Sequence, residues 1–308
     1  KQGGTRLMAK NNESVSTVRR AKHGGLLTFF FAIVSIIWIA PLFLVLMNSF
    51  KKKAFIFRNP FSISANSLSD GWDSYVKGIE RAMHGWKNYA TAVKLTDFFH
   101  AFGYSLFITV ASVVVIIICT SMCAWYITRV HNLATKTIYV LCLFSMIVPF
   151  QMVMFTLSKF ANMLKLSNPL GIVIVYLGFG AGLAVFMFTG FVKGISIEIE
   201  EAAMIDGCTP IQTFFRIVFP ILKPTTVTVA ILQAMWIWND YLLPSLVLNI
   251  NKYKTLPIAI QYLKQSHGQL DWGAMMAVLV LAIIPIVIFY MVCQKYIIEG
   301  VLAGAVKG

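Results

Sequence analysis

The sequence predicts an all-α membrane protein that crosses the bilayer six times. Hydrophobic residues make up 58% of its 308 residues and charged residues only 12%, a balance outside the range of soluble domains. The apolar residues form six stretches that can each span a hydrocarbon core about 30 Å thick. A polar segment between the fourth and fifth stretches, residues 196–224, instead predicts two short helices at the membrane surface.

Residues 1–25 are polar and basic and predict a flexible tail beside the membrane. The chain begins with Lys1, so we expect the natural start at Met8 or at an alternative initiator. The first apolar stretch, 26–47, is too long for the apolar core of a signal peptide and lacks a small-residue cleavage site. We therefore interpret it as the first span, kinked near its end by Pro41.

The remaining spans are predicted at about 101–127, 137–157, 170–192, 225–247 and 273–296. Pro149 interrupts the third span. Five glycines lie along the fourth span, and because small residues let helices approach closely in lipid, we expect this helix to be central in the bundle. Six spans place both termini on the same side of the membrane.

The first loop, residues 51–98, is long and carries helical periodicity. Apolar residues recur three or four apart and predict one or two helices: Trp72, Tyr75, Ile79, Met83, Trp86, Tyr89 and Val93. These helices either lie against the membrane surface or a partner, or pack on this chain's own loops. The pattern alone favours neither arrangement.

The formal net charge of +14 is expected to lie in the loops, beside anionic lipid headgroups. No basic cluster with interleaved aromatic residues favours nucleic acid as a partner. With six spans, the Lys and Arg residues divide evenly, 13 on each side. The charge count therefore leaves the orientation open.

The polar segment, residues 196–224, has clear helix start and stop signals. Acidic residues crowd the first turn after Ser196, where they complement the helix dipole: Glu198, Glu200 and Glu201. Gly207 supplies a stop. Thr209 then predicts an N-cap, with Pro210 in the first helical position and Gln212 completing a capping box. Two amphipathic helices on the surface of a membrane protein predict a docking element for another protein.

Several kinds of chemistry have no signature in this sequence. It contains no GxxxxGKS/T phosphate loop, no HExxH, no GxSxG and no paired CxxC motifs. The five cysteines and five histidines do not show metal-ligand spacing. We therefore expect neither an enzyme nor a metal site, and no cofactor held by this chain.

The polar segment resembles the EAA motif of binding-protein-dependent ABC importer permeases. The matching residues are Glu201, Ala202, Ala203, Asp206, Gly207, Phe214, Pro220, Lys223 and Pro224. In that family the loop is cytoplasmic and forms coupling helices that dock in a cleft of the ATPase subunit. The resemblance implies that Glu201, Ala202, Ala203, Asp206 and Gly207 carry this contact.

Further stretches resemble the maltose-type carbohydrate permeases, and in particular their six-span second subunit. They are Asn88-Tyr89-Ala90, Trp238-Asn239-Asp240-Tyr241 with Pro244, and the ending 300–308. Ser196, Cys208 and Tyr104 depart from the usual residues of the family. The resemblance implies a type I ABC importer permease fold and a tail that approaches the ATPases, which makes Lys307 a second candidate contact. A frayed terminus explains the tail equally well.

By this resemblance, the chain works with a homologous second permease, two ATPase subunits that bind ATP and Mg²⁺, and an extracellular solute-binding protein. It would lie in a bacterial or archaeal cytoplasmic membrane with both termini in the cytoplasm. The expected cargo is a carbohydrate, most simply an oligosaccharide. Three alternatives stay open: glycerol phosphate or another polyol-like cargo, a secondary transporter with Asp240 as a proton relay, and a membrane scaffold.

Polar and aromatic residues inside the spans are candidates for the substrate path, because such groups usually face a bundle interior or a cavity. The set comprises Gln151 and Thr156 on the third span, and Gln233, Trp236, Trp238, Asn239, Asp240 and Tyr241 on the fifth. Aromatic faces stack on sugar C–H groups, while amides and carboxylates bond hydroxyl groups. The same residues could instead form an interfacial belt or join helices, with the partner permease making most sugar contacts.

Overall fold

The computed structural model describes residues 24–263 and 271–305, with side chains up to residue 296. Within these ranges, every extended regular element is a helix. In chain order the α-helices are α1 (Gly24–Ser49), α2 (Lys53–Arg58), α3 (Trp72–Ala82), α4 (Lys87–Thr96), α5 (Phe98–Arg129), α6 (Leu133–Ile147), α7 (Phe150–Met163), α8 (Pro169–Val192), α9 (Ile197–Ile205), α10 (Pro210–Thr213), α11 (Phe219–Ile221), α12 (Lys223–Asn239), α13 (Leu242–Val247), α14 (Leu256–Gln261) and α15 (Trp272–Ala305). A 3₁₀ turn, Leu68–Asp70, precedes α3, and a π-helical turn, Phe214–Val218, joins α10 to α11.

Four helices are long and apolar enough to cross a membrane unaided: α1, α5, α8 and α15. Two bent helix pairs raise the number to six if each pair is one span. The first pair is α6 and α7, bent by 110°, and the second is Pro210–Ile221 and α12, bent by 78°. The predicted interruption of the third span is confirmed. Helix α6 ends at Ile147 and α7 begins at Phe150, with Val148 and Pro149 between them.

The fifth span differs from the continuous helix predicted over residues 225–247. Helix α12 has 17 residues and is therefore about 25 Å long, shorter than a full crossing. The chain breaks after Asn239, and the Asp240 carboxylate accepts hydrogen bonds from the backbone N–H groups of Leu242 at 2.9 Å and Leu243 at 3.3 Å. The carboxylate takes the place of the backbone carbonyl oxygens that these N–H groups would bond in a continuous helix. Helix α13 therefore begins as a new helix.

Helix α8 is the centre of the bundle, as its glycines predicted. It packs against α5, α6 and α12, and more than half of its apolar window is buried. An added Cβ at Gly182 would lie 2.6 Å from the Cys142 carbonyl oxygen on α6. Only glycine allows this close an approach between the two backbones.

Helix α1 lies at the outside of the bundle and packs mainly along α15. None of the residues in its most apolar window is buried. Pro41 lies inside α1 without ending it.

The first loop packs on this chain. Helix α4 lies against α15 and α5, and the Asn88 amide donates to the carbonyl oxygens of Ser49 and Lys51, both at 2.8 Å. Lys51 is itself buried, and its Nζ donates to Asn48 Oδ1 at 2.9 Å and to the Asn59 carbonyl at 2.7 Å. Burial lowers the pKa of this ammonium group. Helix α3 still exposes Trp72 and Val76.

Candidate functional site

The polar segment folds as two helices joined by a tight turn. Helix α9 starts at its N-cap Ser196, whose Oγ accepts a hydrogen bond from the Glu198 N–H at 3.3 Å. It ends at Ile205, with Asp206 as its C-cap, and Gly207 follows with a φ of +87°. This left-handed conformation is open to glycine without steric cost. The predicted stop at Gly207 is therefore confirmed, with a specific backbone reason.

The second helix of the segment begins with the predicted capping box. Thr209 Oγ1 accepts from the Gln212 N–H, and the Gln212 side chain accepts from the Thr209 N–H, with Pro210 next in the chain. The helix continues through the π-helical turn to Ile221. We call residues 196–221, the two helices and their turn, the docking segment.

The outer face of the docking segment is exposed and largely apolar. Ile205 is 86% exposed and Ile211 65% exposed, with Met204 beside them. Four of the predicted contact residues share this exposure: Glu201, Ala202, Asp206 and Gly207. Ala203 differs, because it is buried against the rest of the chain. Exposed apolar side chains with acidic side chains beside them are typical of a contact with another protein.

The acidic residues of α9 do not act alike. Glu198 and Glu201 are exposed, whereas Glu200 is only 2% exposed. Arg129, at the end of α5, approaches the Glu200 carboxylate with Nη2 at 2.7 Å and Nε at 3.0 Å from Oε1. Trp125 Nε1 donates to Oε2 at 2.9 Å. We call these three residues, Trp125, Arg129 and Glu200, the Glu200 cluster.

The Glu200 cluster also holds the chain on either side of α9. Arg129 Nη2 donates to the Ile195 carbonyl oxygen at 2.9 Å, just before α9 begins. The Trp125 ring packs on Phe214, with centroids 5.4 Å apart, and Phe214 is fully buried in the π-helical turn. Both helices of the docking segment are therefore attached to the last turns of α5.

The sequence pattern alone does not predict the Glu200 cluster. In that pattern Glu198, Glu200 and Glu201 form one acidic group that complements the helix dipole. The signal that separates them is the helical period: Glu200 lies three residues before Ala203 and so shares its inward face. The pairing with Arg129 joins residues far apart in sequence and had no local signal. Lys307 lies outside the described residues.

Two substrate-path candidates are engaged in tying helices together. Gln233 is buried on α12, and its Nε2 donates to the Gly180 carbonyl on α8 at 3.2 Å. The hydroxyl of Tyr176, also on α8, donates to Asp240 Oδ2 at 3.1 Å. With Oδ1 bonded to the start of α13, both oxygens of Asp240 have protein partners. Asp240 therefore stabilises the break in the fifth span.

A different face of α12 is open. Leu232, Met235, Trp236 and Asn239 are all exposed and follow the spacing of one helical face. Trp236 is 42% exposed and packs edge-on against Tyr176, with centroids 5.5 Å apart. Asn239 Nδ2 bonds only the Met235 carbonyl of its own helix among the described contacts, at 2.7 Å. We call these four residues the α12 open face.

The remaining candidates are scattered. Gln151 and Thr156 are exposed on α7, and Tyr241 is half-buried at the break after α12. Trp238 packs against Phe102 of α5, with centroids 5.6 Å apart. Of the predicted set, the structure thus brings Gln233, Trp236 and Asp240 together against α8. Within the described residues, no group of three or more His, Cys, Asp or Glu side chains could hold a metal ion.

Comparison with solved structures identifies the fold. The chain superposes on a chain of a bacterial ABC transporter involved in the import of the acidic polysaccharide alginate, with a TM-score of 0.71 and 20% identity. The match covers 91% of this chain and 98% of the other. The predicted ABC importer permease fold is confirmed by this likeness.

Comparison of sequences identifies the family. The chain is 39% identical to the probable starch degradation products transport system permease protein AmyC of Thermoanaerobacterium thermosulfurigenes, over 92% of this chain and 96% of the relative. It is 32% identical to the multiple sugar-binding transport system permease protein MsmG of Streptococcus mutans, over 88% and 93%. Residues 116–302 match the family described as binding-protein-dependent transport system inner membrane component. The chain therefore belongs to this family of membrane components, and it is the permease part of a transport system rather than an enzyme.

Proposed function

We propose that this chain is a permease subunit of an ATP-driven importer that moves a carbohydrate, most simply an oligosaccharide, across the cytoplasmic membrane. The docking segment carries the proposal, because it supplies an exposed two-helix surface in a chain that has no phosphate loop of its own. The cargo class is supported by the names of the two relatives, which refer to starch degradation products and to multiple sugars.

The importer contains a homologous second permease, two ATPase subunits that hold ATP and Mg²⁺, and an extracellular solute-binding protein. ATP binding closes the ATPase pair, and the docking segment passes that movement to the membrane helices. The cavity between the permeases turns from inward-facing to outward-facing and receives sugar from the binding protein. Hydrolysis of ATP returns it and releases the sugar into the cytoplasm.

The ATPase contact is the exposed face of the docking segment. Ile205 and Ile211 provide apolar area that gains free energy when a partner covers it. Ala202 allows close seating, and Glu201 and Asp206 offer carboxylates to basic groups of the ATPase. Ala203 supports this surface from inside. In this arrangement the docking segment and both termini are cytoplasmic, and Lys307 is a further contact.

The substrate path follows the α12 open face. Trp236 presents a partly exposed ring that can stack on the C–H face of a sugar, and Asn239 presents an amide whose only described protein bond is local. Gln233 and Asp240 act behind this face, where they fix α12 and the chain break against α8. Gln151 and Tyr241 are secondary candidates for the path.

The cargo is tested with the cognate binding protein and a panel of ligands. We expect it to bind malto-oligosaccharides or another oligosaccharide, and we expect the same compound to compete for uptake in cells that carry the importer. Binding of glycerol phosphate and no sugar would overturn the carbohydrate assignment.

The docking surface is tested by cross-linking. Ile205→Cys places a thiol at the most exposed apolar point of the docking segment, and it should form cross-links with the ATPase in membranes. Phe61→Cys is the matched control, because Phe61 is 80% exposed but lies in the first loop. Equal cross-linking of the two variants to the ATPase would contradict the proposed contact.

A further inference from the structure

The Glu200 cluster joins two separate parts of the chain by buried charge. Charge-assisted bonds between guanidinium and carboxylate groups are among the stronger hydrogen bonds in proteins. Here two nitrogens of Arg129 and the indole N–H of Trp125 all donate to the carboxylate of Glu200. Glu200 is only 2% exposed. Removing the Arg129 charge would leave the Glu200 carboxylate buried without its charged partner, which is costly. The three residues are therefore expected to move as one unit.

Helix α5 presents this unit to both helices of the docking segment. Trp125 and Arg129 are four residues apart and so share one face of α5. Through Glu200 and the Ile195 carbonyl they hold α9. Through its ring contact with Phe214, Trp125 also holds the second helix. A displacement of either docking helix is thus applied to the same end of α5.

Helix α5 is long enough for its other end to reach the opposite face of the membrane. Helix α5 has 32 residues, which makes it about 48 Å long. It packs along α8 and α12. Near its start, Ser105 Oγ accepts a hydrogen bond from the Leu256 N–H at the beginning of α14, at 2.7 Å. One unbroken helix therefore connects the docking segment with α14.

The covalent route out of the docking segment is less direct. The chain enters α12 through a bend of 78° and breaks again at Asp240 before α13. Bends and breaks of this kind can absorb a movement by small backbone rotations. The non-covalent route through the Glu200 cluster meets a helix without such a break.

We propose that Trp125, Arg129 and Glu200 are positioning residues that transmit movement of the docking segment to α5. Through α5 the movement reaches α14 at the opposite face, where the binding protein delivers sugar. This inference rests on the proposed function of the docking segment. It assigns the transmitted movement to α5, although the docking segment is joined covalently to α8 and α12.

The test uses the full transporter, reconstituted with its ATPases and binding protein, with uptake and ATP hydrolysis measured in the same vesicles. Glu200→Gln keeps the shape of the side chain and removes its charge. Trp125→Phe removes one donor but keeps a ring against Phe214. We expect assembled complexes that still hydrolyse ATP, with sugar taken up per ATP reduced by about tenfold, the size of one lost charge-assisted bond. Asp97→Asn is the control, because it alters an exposed contact with His100, and it should leave the ratio unchanged.

A purely structural role would change the yield and melting temperature of the complex without changing uptake per ATP, and that result in both variants would overturn the inference. If Glu200→Gln does not assemble, Trp125→Phe decides, since it keeps the ion pair. Gly207→Ala, measured in parallel, distinguishes the proposed role of α5 from the proposed function of the docking segment. If Gly207→Ala lowers uptake per ATP or ATPase retention and the cluster variants do not change uptake per ATP, only the role of α5 fails. If no variant changes either quantity, the proposed function of the docking segment fails.

Discussion

The amide of Gln233 reaches from α12 to the main-chain carbonyl of Gly180 on α8, with 3.2 Å between Nε2 and the oxygen. The two helices meet here at a residue without a side chain. A Cβ at residue 180 would lie 3.0 Å from Gln233 Oε1 and 2.7 Å from Ile116 Cδ1. The missing side chain at Gly180 and the buried amide of Gln233 therefore determine how closely α12 packs on α8.

Three alanine substitutions along α8 should rank by the space around each glycine. Gly182→Ala should be the most destabilising, by about 1–3 kcal/mol, because its Cβ would meet the Cys142 backbone oxygen. Gly180→Ala should cost less, since its neighbours are the ends of side chains that can move. Gly178→Ala meets no described atom within 4 Å and should be neutral or stabilising. Thermal unfolding in detergent checks the order, and equal melting temperatures would contradict it.

The buried amide of Gln233 and the open ring of Trp236 should respond differently to substitution. Gln233→Met removes the hydrogen bond from Nε2 to the Gly180 carbonyl oxygen, so it should lower stability by about 1 kcal/mol while uptake stays normal. Trp236→Ala should raise the KM for sugar uptake while ATP hydrolysis persists. Leu232→Ala, on the same open face, is the control. Loss of uptake in Gln233→Met alone would move the substrate path to the buried side of α12.

Gly207 and Gly71 form a matched pair for testing the turn in the docking segment. Their φ values are +87° and +94°, both are exposed, and a Cβ at either would meet no described atom within 4 Å. Alanine should therefore strain both turns, by about 1–2 kcal/mol at Gly207 and by at least as much at Gly71, whose ψ of 157° lies in a region open essentially to glycine alone. Only Gly207→Ala should reduce ATPase retention during purification or uptake per ATP. A similar defect in Gly71→Ala would show a general effect of backbone strain.

The proposed orientation makes a labelling prediction. In a background without the five native cysteines, Asp70→Cys lies in the first loop and Lys193→Cys lies between α8 and the docking segment; both positions are exposed. A membrane-impermeant thiol reagent added to intact cells should label the first and not the second. After the membrane is made permeable, both should react. The reverse pattern would place the docking segment outside the cell.

The sequence was sufficient for features with local signals. The start of α9 at Ser196, the stop at Gly207 and the capping box at Thr209 depend on neighbouring residues, and the structure confirms them. The central place of α8 followed from its glycines, because small residues in lipid predict close helix contact.

Features that depend on tertiary contacts were missed. Lys51 was counted with the charges beside lipid headgroups, but Asn48 and Asn59 provide partners for it inside the first loop. The fifth span reads as one apolar stretch, and its break became clear only with the carboxylate of Asp240 bonded to the start of α13. An acidic residue four positions before Pro244 was a local signal for that break.

The most direct measurement is sugar uptake by vesicles that contain the permease pair and the ATPases, with the binding protein outside. Transport of a labelled malto-oligosaccharide, or of the oligosaccharide that the binding protein selects, should require ATP on the docking-segment side. It should persist in the presence of an uncoupler and stop when the binding protein is omitted. Uptake by this chain without ATPases, abolished by the uncoupler and indifferent to ATP, would contradict an ATP-driven importer.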